Sequence, residues 1–183
     1  MIIYAHGFGG SGEGSKAKAF RNYFKDKNIP FIAPSLSYVP DLAIKTLCEL
    51  IHSYDKVQLI GSSLGGFYSI YLSQKFDIKA VLLNPSINPD STLKQAIGLA
   101  PNFYDDSAFE WNEMHIASLQ KYKVKPEKQS NLFLLSQKGD ELLDYREGVA
   151  LLPKAKQCIE DGGDHGFSGI ERHFKEIEKF LLY

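Results

Sequence analysis

At 183 residues, with 44% hydrophobic and 23% charged side chains, the chain has the size and make-up of one ordinary globular domain. Its 21 Lys and Arg balance 22 Asp and Glu to a net charge of −1, and no basic block or stripe argues for nucleic acid or an anionic membrane surface. No apolar run approaches the ~18 residues of a membrane span, and Met1-Ile2-Ile3-Tyr4-Ala5 meets His6-Gly7 too soon for a signal peptide, so the expected location is the cytoplasm.

In chain order, the first predicted strand is Ile2–Ala5. It runs into the glycine-rich turn His6-Gly7-Phe8-Gly9-Gly10-Ser11, where backbone can approach a ligand closely and aim an N–H inward. His6 is expected to order this turn by hydrogen bonds. A helix is predicted over Lys16–Lys27, a strand over Phe31–Pro34 and a helix over Leu42–Ser53. Cys48 falls in that helix and Cys158 in a later strand; both are read as small buried hydrophobes and not as a disulfide or metal pair.

The predicted strand Val57–Gly61 enters Gly61-Ser62-Ser63-Leu64-Gly65, a Gly-x-Ser-x-Gly pattern followed by a helical segment, Leu64–Lys75. Between a strand and a helix this pattern forces a sharp turn that exposes the central hydroxyl, and its two glycines single out Ser63 over Ser62 as a nucleophile. The alternative is a phosphate-binding turn. No Gly-Lys-Ser/Thr ending supports it. The amides of Phe8 and Leu64 are the candidate oxyanion donors, each worth ~2.7–4 kcal/mol in a transition state.

After the strand Ala80–Asn84, residues 88–128 break the alternation. No strand is predicted there, only short helices and loops rich in aromatics. The segment reads either as a packing insertion or as a cap, with Phe103, Tyr104, Phe109 and Trp111 as candidates to contact an apolar substrate group. The strand Asn131–Ser136 then leads to Gly139-Asp140-Glu141, which places a carboxylate beyond a strand end. Asp144 is its rival, better suited to cap the helix Tyr145–Leu151; Glu141 and Asp164 are weaker ones.

The last predicted strand, Ala155–Glu160, leads to Asp161-Gly162-Gly163-Asp164-His165-Gly166 and a final helix, Ile170–Leu182. His165 is the expected base, in a mobile loop at a strand's carboxyl end. His52 and His173 fall on helices and are expected at the surface, and His115 lies in the insertion. A metal site at Glu160, Asp161, Asp164 and His165 is the lesser reading. Strand–helix repetition with continuously apolar strands predicts a parallel sheet covered on both faces, with chemistry beyond the carboxyl ends of its strands. Ser63, Asp140 and His165 all fall there, in the order Ser, Asp, His.

On these residues the sequence resembles the α/β-hydrolase superfamily over nearly its whole length. More narrowly it is similar to compact bacterial YqiA-like esterases, through His6-Gly7-Phe8, Gly139-Asp140-Glu141 and Gly162-Gly163-Asp164-His165. The resemblance implies a three-layer α/β/α domain with a six-stranded parallel sheet, order 2-1-3-4-5-6; the helical cap at 88–128 is read from the insertion itself, which carries no motif of the family. The resemblance also implies hydrolysis of small esters or acyl-CoA-like thioesters by a Ser-His-Asp triad, with no metal or organic cofactor. A lyase or acyltransferase on the same residues, and a non-catalytic ligand-binding protein, stand as alternatives. Monomer and homodimer are both open.

Overall fold

Apolar runs of four to six residues cannot bury themselves, so they must pair and then be covered. The computed structural model describes residues 1–183. In chain order it forms β1 (Ile2–Ala5), α1 (Ser15–Asp26), β2 (Phe31–Ile32), α2 (Pro40–His52), β3 (Gln58–Ser62), α3 (Leu64–Phe76) and β4 (Ala80–Leu83). There follow α4 (Pro89–Thr92), β5 (Gly98–Pro101), β6 (Ala108–Trp111), α5 (Glu113–Leu119), β7 (Leu132–Gln137), α6 (Tyr145–Leu151), β8 (Lys156–Glu160) and α7 (Phe174–Leu182). No helix is long and apolar enough to cross a membrane.

Six strands form one sheet in the order β2-β1-β3-β4-β7-β8, parallel at every pairing. With the two insertion strands left out of the count, this is the expected 2-1-3-4-5-6. Side chains alternate between two buried clusters. Ile3, Ala5, Leu59, Leu82, Leu132 and Leu134 join one with α2, α3 and the insertion. Ile2, Tyr4, Ile60, Val81, Phe133 and Leu135 join the other with α1 and α7. The period of two along each strand therefore makes three layers. On α7, Phe174, Ile177 and Leu181 are buried against the sheet, each worth up to about 2 kcal/mol of apolar burial.

Element ends follow local chemistry. Pro40 occupies the first turn of α2, where its missing N–H costs nothing. Asp144 caps α6 by accepting the Arg146 N–H at 2.9 Å, as its position predicts. The final helix is shorter than expected: Ile170–His173 form a 3₁₀ turn before α7, entered from Gly169 at φ 72°.

Three expectations need correction. Residues 88–128 do contain strands: β5 and β6 pair antiparallel in the register Gly98↔Trp111 to Pro101↔Ala108. Of this hairpin only Ala100 and Trp111 are fully buried, with Phe109 packed half-buried against the core, too few positions to mark two strands in sequence. The insertion is thus mixed, and not purely helical. Second, His173 is buried, because its Nε2–H donates to Glu160 Oε1 at 3.0 Å. Third, Cys48 and Cys158 are free but only half-buried; Cys158 lies on β8, which is an edge strand with one unpaired side.

Candidate active site

At the end of β3 the backbone turns abruptly. Ser63 has φ 53° and ψ −119°, a strained conformation for a residue with a Cβ. Hydrogen bonds over-determine it: the Ser63 N–H donates to Leu83 O at 3.0 Å, and Ser63 O accepts from Gly66 N at 2.9 Å and Ser86 N at 3.0 Å. The flanking glycines are steric necessities. A Cβ on Gly65 would stand 2.0 Å from Ala5 O, and one on Gly61 would stand 2.3 Å from Gly65 O. Gly7 lies on the other side of the serine, where a Cβ would be 3.0 Å from Ser63 Cβ.

Two loops converge on this turn. From β7, Asp140 accepts the N–H groups of Leu142 and Leu143, both at 2.9 Å, and its side chain is only 3% exposed. From β8, His165 directs Nδ1 to the Asp140 carboxylate at 2.9 and 3.0 Å and Nε2 to Ser63 Oγ at 3.1 Å. With Nδ1–H donating to the carboxylate, Nε2 is left to accept the serine proton. A serine hydroxyl so placed can lose its proton to the imidazole as it attacks an electrophile. The three residues singled out in the sequence are therefore in mutual hydrogen-bond contact.

Their rivals are occupied elsewhere. Asp144 pairs with Arg146, Glu141 accepts the His165 backbone N–H at 3.0 Å, and Asp164 bonds Ser168. Of the acidic residues considered for a metal, Glu160 pairs with Arg172 and His173, and Asp161 with Lys138.

Sequence reasoning missed the groups that hold the histidine loop. Asn84, buried at the end of β4, donates from Nδ2 to Asp164 O at 2.9 Å and accepts the Gln137 N–H at 2.9 Å. Gln137 accepts the Asp164 N–H at 3.1 Å and donates to Ser168 O at 2.9 Å. A polar residue closing an apolar strand, as in Leu82-Leu83-Asn84, was the available signal. Buried amides of this kind need several partners, and a loop backbone supplies them.

Burial alone would raise the Asp140 carboxyl, but the hydrogen bonds from His165, Leu143 and Leu142 outweigh it and hold it below its ordinary value. A depressed carboxylate adds stability that is complete above the unfolded value of about 4 and is lost as pH falls through the folded one. Asp140→Asn should therefore flatten the acid limb of stability below pH ~4. Urea midpoints of both proteins between neutral and acid pH check this; an unchanged wild-type-minus-variant difference across that window would refute it.

The turn after β1 is built for a free amide. His6 Nε2 accepts the Leu36 N–H and its Nδ1–H donates to Gly7 O, both at 2.8 Å. Burial pushes its pKa down, favouring this neutral form. The Phe8 ring packs edge-on against Phe109 and Trp111, at 5.3 and 4.8 Å between centroids. The Phe8 N–H meets no protein acceptor, and that of Leu64, first in α3, has no intrahelical one.

A cavity of about 550 Å³ opens over these groups, lined by Ser63, Leu64, Phe8 and His165, among others. Phe103 and Tyr104 line it as well. Phe109 and Trp111 do not: Phe109 stacks on Tyr38, and Trp111 is fully buried with its Nε1–H donating to Leu93 O at 3.1 Å. Those two hold the insertion against the Phe8 turn. Ser86, buried in the cavity wall, has a hydroxyl without a protein partner.

A six-stranded parallel sheet between two helical layers, with a serine at a strained strand-to-helix turn, defines an α/β-hydrolase fold. Est1E of Butyrivibrio proteoclasticus, in a structure with bound ferulic acid, superposes with a TM-score of 0.79 at 13% identity, over 99% of this chain and 87% of that one. Mouse alpha/beta hydrolase domain-containing protein 10 gives 0.78 at 14% identity, over 98% and 88%. The chain belongs to the UPF0227 family, described as an uncharacterised protein family, whose model matches residues 1–182. UPF0227 proteins of Vibrio parahaemolyticus and Pasteurella multocida are 26% and 27% identical to it, each over 98% of both chains.

Proposed function

We propose that this protein is a serine hydrolase that cleaves carboxylic esters or acyl thioesters through an acyl-enzyme on Ser63. The observation that carries this reading is the unbroken hydrogen-bonded chain from Ser63 Oγ through His165 to the Asp140 carboxylate. Ser63 Oγ attacks the acyl carbonyl while His165 Nε2 takes its proton. The N–H groups of Phe8 and Leu64 receive the developing oxyanion, and Asp140 stabilises the imidazolium. His165 returns the proton to the departing alcohol or thiol. Water, activated by the same imidazole, then releases the acid and restores the serine. The insertion acts as a cap, with Phe103 and Tyr104 presenting apolar surface to the substrate at the cavity mouth.

An alkyl fluorophosphonate tests the nucleophile directly. One adduct per chain, mapped to the peptide containing Ser63 and displaced by competing esters, is the expected outcome. Folded protein that stays unlabelled would overturn the assignment.

A further inference from the structure

We propose that the site is built for a substrate that carries a carboxylate in addition to the reacting carbonyl, and that Lys16 with the amino end of α1 binds it. This inference rests on the hydrolase reading and specifies its substrate class. Among the residues that line the cavity, Lys16 is the single Lys, Arg, Asp or Glu. Its ammonium forms no ion pair; its one direct partner is the Gly166 carbonyl at 2.8 Å, in the loop that carries His165. Burial lowers its pKa, while Asp164 and Asp140 partly restore it from beyond ion-pair distance. Glu13, the acidic residue nearest in sequence, is already paired with Arg21 at 2.7 Å.

A partly buried cation satisfied by a single carbonyl retains donors for an incoming anion. The backbone beside it favours the same charge. Helix α1 is twelve residues long, begins after Gly14, and has neither a side-chain cap nor an acidic residue in its first turn. Gly14, Ser15, Lys16 and Ala17 all line the cavity, which puts the uncapped amino end of α1 at its wall. Lys18, with its ammonium 5.8 Å from the Tyr104 ring, adds a second positive charge beside the mouth. Lys18 is not among the lining residues, so within the cavity one ammonium and the partial charge of a helix end match the single charge of a carboxylate. Apolar walls, with Leu93, Ala96 and Phe103 among them, suit the methylenes between that carboxylate and the ester.

The test compares monoethyl adipate with the neutral ethyl hexanoate, following ethanol release by wild type, Lys16→Met and Lys16→Arg. Wild type should prefer the anionic ester. Lys16→Met should cut kcat/KM for it by about 10- to 100-fold, chiefly through KM. The neutral ester should change much less, and Lys16→Arg should restore most of the preference. Equal losses on both esters would assign Lys16 to holding the Gly166 loop alone and overturn the proposal. So would a wild type that turns over the neutral ester as well as the anionic one. Calorimetric titration of Ser63→Ala with monoethyl adipate reads binding without turnover. Lys16-dependent binding there supports the carboxylate site even where no ester is hydrolysed, an outcome that removes only the hydrolase reading; its absence overturns the site.

Discussion

Ser63→Ala is expected to lower kcat by about 10⁴-fold or more on any ester the wild type hydrolyses, with the urea midpoint scarcely moved. The substitution removes one oxygen, and in the proposed mechanism that oxygen is the acyl acceptor. His165, Asp140 and the free amides of Phe8 and Leu64 stay in place, so the residual rate reports polarisation and positioning alone. Stability should hold because the Cβ is retained, the backbone hydrogen bonds of residue 63 do not involve its hydroxyl, and the φ of 53° is as awkward for alanine as for serine. A loss below about tenfold would mean that another group is the nucleophile and that the hydrogen-bonded chain does not carry the chemistry.

The second large effect concerns stability. Gly65→Ala should destabilise the fold by about 3 kcal/mol or more, or prevent folding altogether. The new methyl would lie 2.0 Å from Ala5 O, 2.5 Å from Ala5 C and 2.7 Å from His6 O. These are backbone atoms at the end of a central strand, with no rotamer to move. Relief requires α3 to withdraw from β1, which would open the core beneath Leu64 and displace Ser63. Gly162→Ala provides the contrast. That residue has φ 68° but open space where a Cβ would go, so the cost should be about 1–2 kcal/mol of backbone strain. Urea unfolding of the two variants separates close approach from conformation. Equal midpoints would show that the packing of α3 onto β1 is looser than described.

Much of this was legible before any coordinates. Apolar runs alternating with helical periods locate all six strands of the main sheet to within two residues: the inner strands β1, β3, β4 and β7 are almost wholly buried, and the half-buried edges β2 and β8 continue the same strand–helix alternation. Ser63, Asp140 and His165 are legible for a related reason: each sits in a glycine-marked turn just beyond a strand, where backbone geometry leaves few sequence solutions. The β5–β6 hairpin is the counterexample. Leu99 is 80% exposed, and the pairing of Gly98 with Trp111 depends on an insertion folded back against the Phe8 turn. Nothing local favours a strand there.

The amino-acid sequence by itself determined the layered architecture, the elbow at Ser63 and the carboxylate–imidazole pairing. All of these rest on hydrophobic period and on glycine placement within short segments. Tertiary structure alone decided what surrounds them. Asn84 reaches Asp164 across 80 positions, and Lys16 reaches Gly166 across 150. It also separated Phe103 and Tyr104, on the cavity wall, from Phe109 and Trp111, which pack behind it. Such contacts carry no periodic signature, because they form between loops whose relative placement is set by the sheet between them and not by their own residues.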